Sequence, residues 1–454
     1  MAIRQNLFII QCKPLASNTK YVIVLILPDT GNPRCMHTVH ISTGTCALGA
    51  GHPSVWQDHR LHEPACEWLN GEVVPRSRSS NTWAQAARSI ASWLDFLEAS
   101  AIDWRHASRN DLVAYRDAYL SAISPQTGQQ YSPQTVRTRM VYIIEFIEYT
   151  VSRGWLDSDL AGDVSVAARR AARPSRPIDQ DALAHIRKGA GQSGPGHTRK
   201  LLPKVSQNET VRVLRMEELA ALLRWAGPRP SQRKEGDGGC DRDRIVLDLA
   251  WAVGLRVDEI SRLRIYPFEV MTPNSQYAGE LFKLSVTGKG GKTRIVDVPA
   301  WLVIDIQTYT RHERRRSLRR RGPNASESQL VLNSESSRNR VGRPMTVNGM
   351  QALMARACTG AGLMQRIERT NPETQEVAIK SVPRFSLHCL RHTYAVMTYR
   401  NHKVSGIGDF EAWKYVQMQL GHASPITTMN IYLRHVTAWS DMRTSHTLLE
   451  MLGA

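Results

Sequence analysis

Apolar residues recur at helical spacing from Thr82 onward, after a first eighty residues with little such order. The spacing predicts one helix that begins near Thr82 and a second that begins near Ser108. A third is predicted to begin at Ser132, a good N-cap that precedes Pro133, and to end at Gly154. The apolar faces of the three helices are formed by Ile90, Trp93, Leu94 and Leu97, by Leu112, Tyr115 and Tyr119, and by Val136, Met140, Ile143, Ile144, Ile147 and Val151.

The pattern changes again near Thr210. Residues 211–227 predict an amphipathic helix, residues 228–241 a polar loop, and Ile245 to Val253 a helix that ends at Gly254. Two short strands, Leu281 to Val286 and Thr293 to Val298, flank the glycine-rich sequence GKGGK and predict a β-hairpin.

These patterns divide the chain into four regions. We expect an extra N-terminal domain over 1–80, partly β because Tyr21 to Leu27 is an apolar β-branched run. A small helical domain should occupy 81–165, and a flexible basic linker 166–209, which is rich in Ala, Arg, Pro and Gly. The remaining residues, 210–454, form a larger mixed domain. The predicted fold class is mainly α with a small β-hairpin or sheet.

Length and composition limit the classes of protein. The 454 residues suggest two or three domains, and 42% hydrophobic and 22% charged residues exclude a disordered, collagen-like or coiled-coil chain. No stretch is long enough to span a bilayer, and Leu7 to Ile10 is too short for the core of a signal peptide. We therefore expect a cytoplasmic protein without a membrane partner.

The seven cysteines are odd in number and contain no C-x-x-C pair, which favours reduced thiols. Several cluster with histidines near the N-terminus, but their spacings follow no zinc-finger pattern, and we predict neither a metal nor another cofactor. The cluster comprises Cys35, His37, His40, Cys46, His52, His59, His62 and Cys66.

Positive charge is both large and concentrated. The net charge is +18, and two segments, 166–208 with a net of +7 and 311–322 with a net of +6, hold 13 of those charges. Lys and Arg side chains gain affinity for a polyanion by releasing its counterions, so two such segments favour nucleic acid as the partner. The second segment contains seven arginines, and we leave open whether it contacts phosphates or is a solvated helix.

Three motifs of the last domain contain candidate chemistry: AVGLRVDEISRLR (252–264), VTGKGGKTRIVDVP (286–299), and SLHCLRHTYAV with LGHASPITTMNIYLRHV (386–396 and 420–436). Each is weak alone. His388 and His392 stand four residues apart, as in a zinc site, but the glutamate of H-E-x-x-H is missing because position 389 is Cys.

In their order and identity, the three motifs resemble those of the tyrosine recombinase (phage integrase) family. The resemblance covers about 82–160 and 210–454, which would be a helical core-binding (SAM-like) domain and a mixed α+β catalytic domain. Residue by residue, the family pattern falls on Arg256, Glu259 as its supporting acid, Lys289, His388, Arg391, His422 and Tyr432.

The resemblance implies a site-specific recombinase that cleaves and rejoins double-stranded DNA through a 3′-phosphotyrosyl intermediate and a Holliday junction. It implies a homo-tetramer on DNA, with other recombinase subunits or directionality factors as further partners. The N-terminal eighty residues favour an integrase or transposase of a mobile element. Tyr432 would be the nucleophile, Arg256 and Arg391 would bind the phosphate oxygens, His388 would be the general base, Lys289 the general acid, and His422 a phosphate donor.

Two features depart from the family pattern. His422 and Tyr432 are ten residues apart, one more than usual, which predicts a bulge or a longer loop before Tyr432. The segment between Arg256 and Lys289 is long, and Lys292 is a rival for the lysine role. We expect His392 and His435 to be structural or to face DNA.

Four other functions stay open at this point. A type IB topoisomerase or a telomere resolvase would use the same nucleophile, and a catalytically silent DNA-binding protein would keep the basic surface alone. A zinc hydrolase built on His388 and His392 is the fourth. The complete ordered set of residues favours the recombinase.

Overall fold

The computed structural model describes residues 37–42, 51–57, 59–77, 79–156, 201–205, 211–274, 279–288, 291–422 and 424–438. The chain divides into two compact units. Unit 1 comprises Met1–Gln207 with Glu368–Lys380, and unit 2 comprises Asn208–Ile367 with Ser381–Ala454. No helix among the described residues is long and apolar enough to cross a membrane.

Unit 1 contains a small antiparallel sheet followed by helices. The strands lie in the order β1-β2-β3, with Val39 opposite Val55. The elements are β1 (His37–Ile41), β2 (Pro53–Gln57), β3 (Arg60–Leu61), α1 (Glu63–Trp68), a π-helical turn (Leu69–Val73), α2 (Val74–Arg76), α3 (Ser80–Ala99), α4 (Arg109–Ser121) and α5 (Pro133–Ser152).

The three helices predicted from apolar spacing are present, and their caps explain where they begin. The backbone N–H of Ser108 donates to Asp111 Oδ2 at 2.7 Å in a capping box at the start of α4. At the start of α5, Ser132 Oγ accepts from the N–H of Thr135 at 3.2 Å, and Pro133 occupies the first helical position. Sequence reasoning therefore located these helices well.

The N-terminal strands share one apolar core with these helices. Val55, Trp68 and Leu69 are buried in the same cluster as Ile90 and Phe146. Leu201, inside the predicted linker, is also buried there. The domain boundaries at 80, 165 and 209 stay predictions.

Unit 2 is mostly helical. Its elements are α6 (Met216–Ala226), α7 (Asp241–Ala252), α8 (Val257–Arg262), α9 (Tyr266–Glu269), β4 (Leu281–Thr287), β5 (Thr293–Pro299), α10 (Ala300–Arg311), α11 (Glu313–Arg321), α12 (Val347–Gly360), α13 (Leu387–Val404), α14 (Asp409–Leu420) and α15 (Pro425–Ala438). The strands β6 (Met364–Thr370) and β7 (Val377–Pro383), whose residues 368–380 are counted in unit 1, form a further two-stranded sheet, which the sequence reasoning missed.

The core of unit 2 is built around α7, which packs against α10 and α13. The predicted hairpin is confirmed: β4 and β5 pair antiparallel, with Val286 opposite Arg294. Two predicted helices differ at their N-termini, since α6 begins at Met216 rather than at 211 and α7 begins at Asp241 rather than Ile245. The backbone N–H of Asp241 donates to Glu313 Oε2 at 2.7 Å, a tertiary contact that sequence periodicity does not reveal.

The predicted fold class, mainly helical with small sheets, is confirmed. Two of the predicted segments lie wholly or mostly outside the described residues: the Tyr21 to Leu27 strand, and the linker, of which residues 201–205 are described. Cys35 and Cys46 of the N-terminal Cys/His cluster lie outside them as well.

Candidate active site

Arg256 lies at the junction of α7 and α8. Gly254, which follows α7, has a φ of +72°, and a Cβ there would lie 2.4 Å from the Tyr394 ring, so only glycine fits this turn. Arg256 then forms the N-cap of α8, and its backbone N–H donates to Glu259 Oε2 at 2.8 Å. The turn and the cap fix Arg256 at the start of the helix.

Glu259 is the acceptor at the centre of the site and is almost fully buried. Besides the Arg256 backbone, it accepts from Arg256 Nη1 at 2.9 Å and from both Nη atoms of Arg294, at 2.6 and 2.8 Å. Burial alone would raise the pKa of Glu259, but the hydrogen bonds from Arg294 and from the Arg256 backbone, with the charges of Arg294 and Arg391, lower it to about 2. Glu259 is therefore ionised at neutral pH and orients two guanidinium groups.

Arg391 of α13 connects two loops. Its side chain is 1% exposed; Nη1 donates to the carbonyl of Gly254 at 2.5 Å, and Nη2 donates to the carbonyl of Leu420. Burial, with the nearby charge of Arg256, lowers the pKa of Arg391 to about 9, so the group stays cationic at neutral pH. Arg391 thus holds together the segments that precede Arg256 and His422.

Two histidines follow one another on the same face of α13. The rings of His388 and His392 pack edge to face with centroids 4.4 Å apart. His388 is exposed, whereas His392 is half-buried. Partial desolvation, with the charges of Arg391 and Arg256, lowers the pKa of His388. Both rings are therefore neutral at neutral pH.

Tyr432 of α15 is buried and reaches this pair of histidines. Its side chain is 1% exposed, and its hydroxyl lies 2.7 Å from His392 Nδ1. Burial raises the pKa of Tyr432 to about 12, although the charges of Arg391 and Arg256 oppose the shift. The phenol is therefore protonated at neutral pH.

His422 lies beside the tyrosine ring. It follows Gly421, whose φ of +63° ends α14, and the His422 and Tyr432 rings are nearly parallel with centroids 6.3 Å apart. His422 Nδ1 lies 2.9 Å from Thr428 Oγ1, and burial with the charge of Arg391 lowers the pKa of His422 to about 4. The α15 helix is continuous from Pro425, so the extra residue before Tyr432 produces no bulge in it.

The predicted lysine, Lys289, lies outside the described residues. Its neighbour Gly288 is described, and a Cβ there would lie 3.0 Å from Glu259 Oε1. The turn that contains Lys289 therefore starts against the acid that orients Arg256. The rival, Lys292, is exposed where the turn closes, and its carbonyl accepts from the N–H of Gly288 at 2.8 Å.

The sequence reasoning missed Arg294, and it gave His392 a chemical role only in the zinc-hydrolase alternative. A signal for Arg294 existed, because residues 294, 296 and 298 share one face of β5, and Val296 and Val298 are fully buried. A charged residue on the buried face of a strand needs a partner, and Glu259 is that partner. For His392 no comparable signal exists in the sequence.

Metal binding finds no support in the described residues, where no group of three or more His, Cys, Asp or Glu side chains is arranged to hold an ion. In unit 1, His37 is instead bonded to Asp95, with His37 Nδ1 2.8 Å from Asp95 Oδ1.

Buried guanidinium groups, neutral imidazoles and a buried tyrosine thus meet in one site, an arrangement suited to phosphoryl transfer to a tyrosine. Residues 238–438 match the family model described as "Phage integrase family". These residues thus match the phage integrase family of tyrosine recombinases, whose general reaction is DNA cleavage and rejoining by transesterification.

Individual proteins similar to this chain include tyrosine recombinases. The chain is 22% identical to the tyrosine recombinase XerC of Roseiflexus sp. (strain RS-1), over 83% of this chain and 91% of the relative. It is 25% identical to the tyrosine recombinase XerD of Corynebacterium glutamicum, over 82% of this chain and 92% of the relative. A solved structure of the XerH site-specific recombinase bound to a palindromic difH substrate aligns with a TM-score of 0.48 and 15% identity, over 86% of this chain and 88% of that one.

Proposed function

We propose that this protein is a site-specific recombinase that cleaves double-stranded DNA with Tyr432. The tyrosine oxygen attacks the scissile phosphorus and forms a 3′-phosphotyrosyl bond, and the 5′ oxygen leaves as a hydroxyl. The 5′-hydroxyl of a partner strand then attacks the same phosphorus and releases Tyr432. The phosphoryl bond is conserved throughout, so the reaction needs no ATP.

The observation that carries this proposal is the convergence of segments far apart in sequence. Arg391 donates to the carbonyl of Gly254, 137 residues away, and to that of Leu420, 29 residues away. These bonds bring Arg256, the α13 histidines and His422 to one place, where the charges of Arg256 and Arg391 act on Tyr432. A tyrosine placed for packing alone would need no such surroundings.

We propose the following roles, of which that of Lys289 rests on the family resemblance. Arg256 is partly exposed and uses one Nη atom on Glu259, so its other donors can bind a phosphate oxygen. Arg391 adds a buried positive charge and positions the loops that contain Gly254 and Leu420. His388 and His422 are the further donors to the phosphate, and Lys289 on the hairpin turn is the general acid for the leaving 5′ oxygen. Cations of the protein thus supply the charge stabilisation for which other enzymes use Mg²⁺.

The arginine-rich helix α11 supports DNA as the partner. Arg314 is buried and donates to the carbonyls of Glu327 and Gln329 at 2.6 and 2.8 Å. The other six arginines of residues 311–321 are exposed. Arg314 therefore anchors the segment, and the exposed arginines are available to neutralise phosphates.

The finer assignments also belong to this proposal. We infer a homo-tetramer on two DNA sites that exchanges one pair of strands at a time through a Holliday junction. We further infer a role in the integration or transposition of a mobile element, on the strength of the N-terminal extension alone.

A covalent-adduct assay tests the proposal. The wild-type protein is incubated with a pool of random-sequence duplexes, and DNA that stays attached under denaturing conditions is recovered and sequenced. We expect a recovered consensus and, on a nicked duplex of that sequence, an adduct that persists in EDTA and is absent with Tyr432→Phe.

The matched control is Tyr266→Phe, because Tyr266 is an exposed tyrosine of the same unit. An adduct that survives Tyr432→Phe, or DNA binding without any adduct, would refute the nucleophile. Relaxation of supercoiled plasmid without strand exchange would assign the chain to topoisomerases instead.

A further inference from the structure

The hydroxyl of Tyr432 has one polar partner at hydrogen-bond distance in the described part of the chain, and that partner is not the histidine that family resemblance makes the base. Nδ1 of His392 lies 2.7 Å from the hydroxyl, with ring centroids 5.4 Å apart. His388 lies one turn earlier on α13 and is exposed, and no hydrogen bond joins it to Tyr432.

The charge state of His392 suits it to accept a proton. Burial and the surrounding cationic or titratable groups, which are His388, Arg391, His422 and His435, lower the pKa of His392 to about 3. The ring is therefore neutral at neutral pH, while the buried phenol keeps its proton. The pair can only be an O–H donor and an Nδ1 acceptor, which places the imidazole proton on Nε2.

We propose that His392 is a catalytic residue, the group that takes the proton of Tyr432 during cleavage; this inference rests on the function proposed above. As the tyrosine oxygen forms its bond to phosphorus, the O–H bond breaks and the proton moves to His392 Nδ1. The bond from phosphorus to the 5′ oxygen breaks, and that oxygen receives a proton from the general acid. In the rejoining step, His392 returns its proton to the departing tyrosine oxygen.

The timing of the transfer follows from the same electrostatics. A phenol of high pKa does not give its proton to an imidazole of low pKa in the resting site. The negative charge that gathers on the phosphorane beside the ring favours the imidazolium, so proton transfer and attack occur together. His388, exposed and edge-on to His392, is then left to contact the phosphate.

A purely structural hydrogen bond would produce the same geometry, and His392→Asn separates the two roles. An asparagine amide at this position offers Oδ1 near the place of Nδ1 and can accept the hydrogen bond, but it cannot take the proton. If His392 only positions Tyr432, His392→Asn should keep the cleavage rate that His392→Ala loses. If His392 takes the proton, both variants should lose it.

The experiment measures single-turnover cleavage of the duplex recovered by covalent capture, from about pH 6 to about pH 9. Wild type, His392→Asn and His392→Ala are compared, together with His388→Asn, which removes the neighbouring imidazole that is proposed to contact the phosphate. Each is tested on the normal phosphate and on a 5′-bridging phosphorothiolate, whose sulfur leaves without a proton, so that only the base step is rate-limiting. Circular dichroism and thermal melting establish that each variant is folded.

We expect both His392 variants to cleave at least about 100-fold more slowly on both substrates, the usual contribution of a general base. Their rates should rise about tenfold per pH unit because hydroxide then removes the proton, whereas the wild-type rate is nearly flat. Added imidazole should restore part of the His392→Ala rate. His392→Asn within about threefold of wild type, with a flat profile, would overturn the proposal.

A second measurement needs no DNA. Spectra of ¹⁵N-histidine-labelled whole protein report which ring nitrogen is protonated, and His392 is assigned by its absence in His392→Asn. An unprotonated Nδ1 whose shift changes in Tyr432→Phe supports the proposal, and a protonated Nδ1 overturns it. If the wild type forms no adduct with any duplex, the proposed recombinase function is wrong. That result is separate from a wrong assignment of His392, because the spectra are recorded without DNA and show a protonated Nδ1 in the second case.

Discussion

The interiors of the two units differ in the types of side chain that they bury. In unit 1 the largest buried side chains are aromatic: Trp93 packs at right angles to Tyr115, with centroids 5.4 Å apart, and Trp68 packs edge to face on Phe146. In unit 2 the interior also contains carboxylates bonded to arginines, such as Glu259 with Arg294 and Asp248 with Arg244 at 2.9 Å.

The two kinds of interior differ in how closely they fix the positions of their side chains. Aromatic packing is non-directional enough to tolerate small shifts, and it stabilises in proportion to the area buried. A buried ion pair recovers its desolvation cost only in a narrow geometry, so it adds little net stability while fixing positions closely. Unit 2 contains such pairs around the residues whose positions chemistry would depend on.

One residue type shows the same contrast. His62 of unit 1 has a pKa lowered to about 4 by burial and by His37, and its Nδ1 accepts from the N–H of Ala65 at 3.2 Å. His392 of unit 2 is also shifted down, but its Nδ1 contacts a phenol. The first histidine caps a helix, whereas the second contacts the proposed nucleophile.

The largest effect is expected for Arg391→Leu. The change leaves the buried carbonyls of Gly254 and Leu420 without their donor and removes one of the cations near Glu259, which should lower the free energy of unfolding of unit 2 by about 4 kcal/mol. Hydrogen exchange read by mass spectrometry should show the loss in unit 2 alone.

Trp68→Ala is the matched control for that measurement, because Trp68 is fully buried in unit 1. The substitution leaves a cavity and should lower the free energy of unfolding of unit 1 by a similar amount, with faster hydrogen exchange confined to unit 1. If either variant loosens both units equally, the contrast between the two interiors is wrong.

A smaller effect is expected for Arg294→Lys, which keeps the charge but loses the paired bonds to Glu259. We predict a loss of about 2 kcal/mol in the stability of unit 2 and a slower adduct-forming step at unchanged DNA affinity. Fluorescence anisotropy and single-turnover cleavage measure the two separately, with the exposed Arg262→Ala as control. Weaker DNA binding with unchanged cleavage would show that Arg294 does not position Arg256.

The smallest effect is expected from mild acid. Above the unfolded pKa of 6.5, the low-pKa histidines are neutral in both states and contribute nothing. Below it, the unfolded chain binds protons that the folded chain does not, so stability falls by about 0.8 kcal/mol for each such histidine at about pH 6.

Unit 2 has His392 and His422, with pKa values of about 3 and 4, and unit 1 has His62. Unit 2 should therefore lose more stability than unit 1 between about pH 7 and about pH 6. Pulse proteolysis with identification of the fragments shows which unit is destabilised more as the pH falls. A larger increase in the cleavage of unit 1 than of unit 2 would contradict the prediction.

Much of the fold could be predicted because it depends on local signals. The faces of α3, α4 and α5, the Ser132 cap and the β4–β5 hairpin all follow from residues within a few positions of one another. The β1–β3 sheet and the β6–β7 hairpin were missed. Their strands have little alternation of buried and exposed residues, and β7 is exposed along most of its length.

The candidate site was predictable in a different sense. Family resemblance named Arg256, Glu259, His388, Arg391, His422 and Tyr432, and the structure brings their segments together, although the role of each stays a proposal. The sequence could not indicate that the hydroxyl of Tyr432 meets His392 rather than His388, since both lie on one helical face. That choice depends on how α15 packs against α13, which is a tertiary property.

The two bonds of Arg391 also bear on how the chain reaches its final form. Closing a loop costs entropy that grows with the logarithm of its length, so the bond to Gly254 costs about 1.4 kcal/mol more to close than the bond to Leu420. On this account α13 and the end of α14 come together first, and the turn at Gly254 docks onto a preformed partner. Docking of Arg256 is then a late event in folding, and a partly folded chain keeps Arg256 apart from Tyr432.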